Sequence, residues 1–225
     1  MTAAARRRSL RALARERTAA SDRMARELRI GTTRLAKGAG ETKEGAGMRL
    51  ETERLIIRDL EETDAERLYG IVRQKGMVRF MRDWSEHQRT LEDTVRFIKW
   101  RRGQIYCADV FENRRYAIAH KDGDTLIGVV GTGLSEGLHE VEMAYFLDEA
   151  YQKNGYATEA VAALAEWYFR QAPVSYVILT IDCANAASCG VAKRAGFELY
   201  EKRTPIGHQQ PDMESDSYYY YRRYR

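Results

Sequence analysis

The chain has 225 residues, 44% hydrophobic and 31% charged, with a net charge of +4. That size suits one well-buried domain with an appendage, or at most two small domains. No run of about 18 or more apolar residues occurs, which excludes a membrane-spanning helix, and the absence of an apolar stretch behind the basic start argues against a secretory signal. Three scattered cysteines, Cys107, Cys183 and Cys189, have no C-x-x-C spacing; they predict reduced thiols in a cytoplasm, not a disulfide frame or a zinc site.

The charge is uneven. Residues 1–47 carry 12 Lys/Arg and 5 Asp/Glu, a net of +7, whereas 48–225 carry 25 basic and 28 acidic residues, a net of −3. The first segment is Ala/Arg-rich and then Gly/Lys/Glu-rich from Lys37 to Gly47. It predicts a disordered basic leader or linker, or sequence upstream of a start at Met48. The folded domain is expected over 48–225.

In chain order, Leu50 to Leu60 predicts a first strand. Thr63-Asp-Ala-Glu66 has capping-box spacing, with Leu68, Ile71 and Val72 following on a helical period. Gln74 to Gln88 reads as a short helix and loop. A second helix begins near Thr90, with Leu91, Val95 and Ile98 on one side and Arg96, Lys99 and Arg101 on the other. Arg115–His120 and Thr125–Leu134 flank Lys121-Asp-Gly-Asp124, a hairpin signal. Gly128, Gly131 and Gly133 are not followed by a helical pattern, so they predict a bulged or closely approached strand. Val141–Leu147 completes a meander. A helix over 158–171, a strand over Val174–Ile181, a short helix ending at Ala195, and strands over Phe197–Lys202 and Asp216–Tyr224 follow. The order β-α-α-β-β-β-α-β-α-β-β predicts a mixed α/β sheet. The Tyr/Arg-rich tail from Tyr218 to Arg225 is explained by the alternating faces of a terminal strand, so nucleic acid is not an expected partner.

The stretch from Glu142 to Ala160 carries the chemistry. A strand ends at Leu147, a turn follows through Asp148 to Ala157, and Val161, Leu164, Ala165 and Tyr168 then share one helical face. Strand, glycine-bearing turn and helix start form an anion site, where free N–H groups and the positive end of the helix dipole converge. Gln152, Lys153, Asn154, Gly155, Tyr156, Ala157 and Thr158 form that turn. Glycine at 155 allows close backbone approach, and Lys153 adds a charge.

Three pieces in this order resemble the GNAT superfamily of acyl-CoA-dependent N-acetyltransferases, and within it the branch of ribosomal-protein N-terminal alanine and serine acetyltransferases. They are Leu50-Glu-Thr-Glu-Arg-Leu-Ile-Ile-Arg58; Gln152-Lys-Asn-Gly-Tyr-Ala157 with Thr158-Glu-Ala160, matching the acyl-CoA loop R/Q-x-x-G-x-G/A; and Asn185-x-x-Ser188 with Arg194-Ala-Gly-Phe197. The resemblance implies a mostly antiparallel central sheet flanked by helices. It also implies acetyl-CoA as cosubstrate, its pyrophosphate on the 152–158 turn, its pantetheine along the backbone of Phe146 and Leu147, and Asn185 on the opposite side.

Glu142 is the candidate general base that takes the amine proton; Glu140 lies on the same face of a period-two strand and could also serve. Ser188 is the candidate for protonating the CoA thiolate or orienting the thioester, and it could equally cap the following helix. Many members of the superfamily have a tyrosine acid at the position of Ala192, so this chain departs from the pattern there; Tyr145 and Cys189 are fallback donors. His87, His120, His139 and His208 show no metal spacing, and no metal is expected.

The expected activity is acetyl transfer from acetyl-CoA to a primary amine by direct attack in a ternary complex, the acceptor being a protein N-terminal α-amine. The alternatives are a small amine (a polyamine, antibiotic or amino acid) or a non-catalytic acyl-CoA-binding module. The acceptor pocket is expected from the Met77–Trp84 region and the 204–215 loop. The protein is expected in the cytoplasm as a monomer or homodimer, without a membrane partner.

Overall fold

The computed structural model of the chain describes residues 47–103, 113–135, 138, 140–204 and 214–225. The leader up to residue 46, Cys107, His139, His208 and residues 205–213 of the expected acceptor loop lie outside the described residues. Gly47–Arg225 forms one compact unit by its internal contacts. It begins with strands β1 (Arg49–Glu51) and β2 (Leu55–Asp59), then helices α1 (Ala65–Val72), α2 (Lys75–Phe80), α3 (Arg82–His87) and α4 (Leu91–Gly103). Strands β3 (Arg114–His120), β4 (Thr125–Leu134) and β5 (Val141–Leu147) form the meander. Helix α5 (Tyr156–Gln171), β6 (Tyr176–Asp182), α6 (Ala186–Arg194), β7 (Glu198–Arg203) and β8 (Tyr218–Tyr224) complete the order.

The eight strands make one sheet, β1-β2-β3-β4-β5-β6-β8-β7. All neighbours are antiparallel except β5 and β6. The mixed, mostly antiparallel sheet flanked by helices is therefore found as expected, with three local differences. The first strand is broken at Thr52–Arg54, where Thr52 N–H donates to Leu55 O at 3.0 Å and Leu55 N–H donates to Thr52 Oγ1 at 2.9 Å. The 74–88 segment holds two short helices, α2 and α3, separated at Met81. The cap before α1 is built by Asp64, not by Thr63 with Glu66: Glu61 N–H donates to Asp64 Oδ2 at 2.8 Å, and Asp64 N–H donates to Glu61 O. Arg58 explains this choice. Its buried guanidinium pairs with Asp64 at 2.8 Å, and a buried cation left without its carboxylate would be strongly destabilising.

The pleat of each strand divides the core in two. On one face Tyr116, Ile118, Val130, Val141, Met143 and Leu147 pack under α5 and α6, against Val161, Leu164 and Tyr168. On the other face Ala117, Val129 and Phe146 pack under α1, α2 and α4, against Leu68, Ile71, Met77 and Ile98. Val141, Met143 and Leu147 thus mark one face of β5, and Glu142, Ala144 and Phe146 the other.

The sheet is open at one place. β6 stays paired with β8 from Tyr176 through Asp182, and β4 stays paired with β5 from Leu134 through Gly128. Between β5 and β6 the single paired position is Glu142 with Ile178. Beyond it the two strands separate toward their C-terminal ends, leaving a cleft edged by backbone.

Candidate active site

Glu142 stands at the apex of that cleft, on the α1–α4 face. Thr180 Oγ1 donates to its carboxylate Oε1. Its residue surface is not fully covered, yet burial of the carboxyl pushes its pKa above the ordinary 4.5, against the opposing pull of Thr180, Ser135 and Arg115. Glu140, the other carboxylate read from the sequence, lies just before β5 in a different environment. Burial pushes it up as well, but the hydroxyls of Tyr176 and Tyr220, each at 2.6 Å, and Arg222 at 3.3 Å together hold it below its ordinary value. The two environments move these carboxylates in opposite directions. Glu142 is the one made more basic.

The turn after β5 is shaped by backbone geometry. Lys153 has φ +65° and Gly155 φ +83°, both in the left-handed region. Gly155 caps α5 without a side chain, and the first helical bond runs from Glu159 N–H to Gly155 O at 3.0 Å. The N–H groups of Tyr156, Ala157 and Thr158 accordingly have no acceptor inside the helix. Thr158 Oγ1 is buried with no hydrogen-bond partner. Asn154 folds back over the turn, its Nδ2 donating to Gln152 O at 3.0 Å, and both Asn154 and Lys153 are exposed.

The strand edge expected to face pantetheine needs one correction. Asp148 N–H donates to Ile127 O of β4 at 2.9 Å, and a Cβ on Gly128 would lie 2.3 Å from Phe146 O. Phe146 therefore turns its carbonyl toward β4, not toward the cleft. A strand alternates its peptide groups, so Tyr145 and Leu147 are the residues facing the open edge. The carbonyl of Leu147 receives Gln152 Nε2 at 3.2 Å. Across the cleft, Asn185 caps α6 by accepting Ser188 N–H on Oδ1 at 3.1 Å. The capping role considered for Ser188 thus belongs to Asn185.

Ser188 lies in the first turn of α6, and its Oγ is 2.6 Å from Tyr145 OH, which also lies 3.2 Å from Ser188 O. Burial pushes the Tyr145 phenol well above its ordinary value. Ala192 is wholly buried in the core beneath α5, so that position offers no acid. Its place as a hydroxyl source is open to the Tyr145–Ser188 pair. Cys189, the other fallback donor, is a free thiol on the same turn. Ser188 and Glu142 come from opposite faces of the sheet, on either side of the gap between β5 and β6.

Four residues shape the site without a role expected from the sequence. Arg54, at the break between β1 and β2, donates from Nη1 to Asn154 O at 2.9 Å and pairs with Glu159 at 2.7 Å. It also lies 4.6 Å over the Tyr156 ring. Thr52 Oγ1 reaches the same Glu159 carboxylate at 2.6 Å. The break between β1 and β2 thus clamps the turn about 100 residues later. Thr180 on β6 donates to Glu142, and Arg115 on β3 acts on it electrostatically. Arg54 lay inside the Leu50–Arg58 motif, which was the one available signal. Thr180 and Arg115 carry no local pattern. Met77 and Trp84 of the expected acceptor region pack in the α1–α4 core, where Trp84 meets Phe146 edge-on at 4.8 Å.

The sequence pattern of the acetyltransferase (GNAT) domain matches residues 54–198. The chain belongs to that family. It is, with the family, an acyl-CoA-dependent N-acetyltransferase. It is similar to the uncharacterized N-acetyltransferase YnaD of Bacillus subtilis (strain 168), 27% identical over 176 residues, covering 77% of this chain and 95% of that one. It is also similar to the ribosomal-protein-serine acetyltransferase of Escherichia coli (strain K12), 27% identical over 153 residues, covering 66% of this chain and 81% of that one. Among solved structures, a ribosomal L7/L12 α-N-protein acetyltransferase in complex with coenzyme A has the same fold. Its TM-score is 0.65 at 20% identity, over 79% of this chain and 98% of that one.

Proposed function

We propose that this chain transfers an acetyl group from acetyl-CoA to the α-amine of a protein or peptide N-terminus, within a ternary complex in the β5–β6 cleft. The observation that carries the reading is Glu142, a carboxylate made more basic by burial at the one position where β5 and β6 are paired. Acetyl-CoA fits the cleft on three features: free N–H groups at the start of α5, a glycine at φ +83° before them, and an unpaired strand edge. Arg54 and Lys153 supply positive charge beside the pyrophosphate turn.

In this reading the amine nitrogen attacks the thioester carbonyl, the C–N bond forms, the C–S bond breaks, and Glu142 takes the amine proton. An ordinary thiol has a pKa of about 8.5, well below that of the buried Tyr145. The Ser188–Tyr145 pair therefore stabilises the thiolate by hydrogen bonding, and solvent supplies its proton. Holding both substrates in one cleft supplies most of the rate, since no covalent enzyme intermediate is needed.

The basicity of the acceptor favours an α-amine. Its pKa of about 7.7–8.0 compares with about 10.4 for lysine, so neutralising a lysine costs about 3.5 kcal/mol more. A single carboxylate base suits the former. The similarity to the ribosomal-protein-serine acetyltransferase of Escherichia coli supports this acceptor class. The test is release of CoA thiol from acetyl-CoA in the presence of N-terminal peptides, lysine side-chain analogues, polyamines and free amino acids. Turnover with unblocked peptides but not with N-terminally blocked ones is expected; acetylation confined to lysine analogues or polyamines would overturn the acceptor assignment.

A further inference from the structure

Arg115 is a half-buried cation that the proposed acetyl transfer does not use. It lies on β3, on the same face of the sheet as Glu142, and its side chain crosses β4 at Gly131. A Cβ at position 131 would come within 2.7 Å of Arg115 Cδ and 3.0 Å of its Nη1, so glycine there leaves the channel the side chain occupies. Nη1 donates to Arg114 O at 2.9 Å and Thr132 O at 3.3 Å. Nε is buried and has no hydrogen-bond partner.

Arg101, in the last turn of α4, repeats the pattern. Its Nη1 donates to Asn113 O, its guanidinium lies 4.4 Å from the Trp100 ring centroid, and its Nε is likewise buried and unpartnered. The two guanidinium groups act on each other electrostatically, and among the described residues the carboxylate acting on Arg115 is Glu142. Arg115 thus lies between the charge of Glu142 and that of Arg101, in a poorly solvated space. Unpaired buried donors and unbalanced buried charge both destabilise, so such an arrangement is completed by an incoming anion. Both arginines retain some surface, so a ligand can reach them.

We propose that Arg115 and Arg101 form an anion subsite beside Glu142 that selects acceptors carrying a carboxylate close to the reacting amine. This rests on the acetyl-transfer reading and names its acceptor class: an N-terminal peptide with an acidic residue at its second or third position, or a free amino acid presenting its own carboxylate. The same charge disfavours polyamines and other polycationic amines, which would bring cations against two guanidinium groups. Arginine suits the role because its planar fork binds a carboxylate through two parallel hydrogen bonds.

The experiment compares kcat/KM for matched acceptors within one enzyme, so that any change in the base cancels. The acceptors are Ser-Glu, Ser-Gln and Ser-Lys peptides amidated at the C-terminus, free serine, serine amide and spermidine. In the wild-type chain the Ser-Glu to Ser-Gln ratio, or the serine to serine amide ratio, is expected at about tenfold or more. Which of the two ratios is large separates the two sources of carboxylate. Arg115→Gln brings the large ratio to near one, Arg115→Lys keeps part of it, and Arg101→Gln lowers it severalfold. Ratios near one in the wild type, a preference for Ser-Lys or spermidine, or a preference untouched in both Gln variants would each overturn the subsite. Should Arg115→Gln not fold, the ratio in Arg101→Gln decides, and a change below about twofold counts against the proposal. Transfer without preference defeats the subsite alone; no transfer to any amine defeats the acetyl-transfer reading and the subsite together.

Discussion

The turn from Gln152 to Thr158 and the pocket around Glu142 lie at opposite ends of β5, and they are made in different ways. The turn is local: seven consecutive residues, two left-handed backbone positions, and N–H groups freed by the helix start. The pocket is assembled from separate strands, with Arg115 from β3, Glu142 from β5 and Thr180 from β6. A backbone site depends on conformation, so substitutions there act mainly on acetyl-CoA affinity. A side-chain site depends on charge and proton affinity, so substitutions there act on turnover and its pH dependence.

The largest expected effect sharpens that division. Glu142→Gln should lower kcat by about 10²–10⁴-fold, the usual range for a lost general base, with the Kd for acetyl-CoA nearly unchanged by calorimetry. In the wild type the acid limb of the rate profile should lie above the ordinary carboxylate range, because the base works only when ionised and its pKa is raised. Stability should move the other way. A carboxyl with a raised folded-state pKa binds more protons folded than unfolded, so it favours the folded state at low pH and loses that contribution as pH rises through its folded pKa. Glu142→Gln removes this dependence and should melt no lower than the wild type at pH 7. A variant that is clearly less stable would make Glu142 a structural residue.

Gly155→Ala is the matching test at the turn. At φ +83° a side chain is strained, and the added Cβ would lie 3.3 Å from Arg54 Nη2. A strain of about 1–3 kcal/mol corresponds to roughly 5–150-fold weaker acetyl-CoA binding. Turnover at saturating acetyl-CoA should fall far less. Equal losses in both would mean the two ends of β5 are not separable.

The same contrast explains what could be read from the sequence. The element order, the hairpin at Asp122–Gly123 and the helix behind Gly155 follow from period, turn residues and caps, which are local. A motif marks the Phe146–Leu147 segment but not which of its peptide groups turn toward the cleft; that depends on the register with β4. The Thr63–Glu66 cap was misplaced because Asp64 is drawn to Arg58, a partner on another element. Arg54 on Asn154 and Glu159, and Arg115 across Gly131, join residues far apart in the chain. No periodicity encodes such contacts.

Arg54 tests whether the turn is as self-contained as its sequence makes it. Its ion pair with Glu159 is partly exposed, and solvent screening reduces its value, but its hydrogen bond to Asn154 O holds the turn directly. Arg54→Gln should weaken acetyl-CoA binding by about tenfold or less, consistent with the loss of one charge-assisted hydrogen bond. Glu159→Gln should have a smaller effect. The double variant should lose less than the product of the two, because each substitution breaks the same clamp. Full additivity would mean that Arg54 meets the phosphates itself.

The smallest effect decides how the thiolate leaves. Ser188 Oγ and Tyr145 OH are 2.6 Å apart, and the phenol is held protonated by burial. An acid so much weaker than the thiol cannot deliver its proton downhill, but it can orient a hydroxyl toward sulfur. Tyr145→Phe should therefore lower kcat by only about threefold to fivefold, the scale of one neutral hydrogen bond, with no shift in either limb of the pH profile. Ser188→Ala should match it, and the double variant should be no worse than either, since the two hydroxyls act as one unit. A loss near a thousandfold in Tyr145→Phe, with a vanished basic limb, would instead make the tyrosine a true proton donor and move the chemical control of the reaction to the α5–α6 face of the sheet.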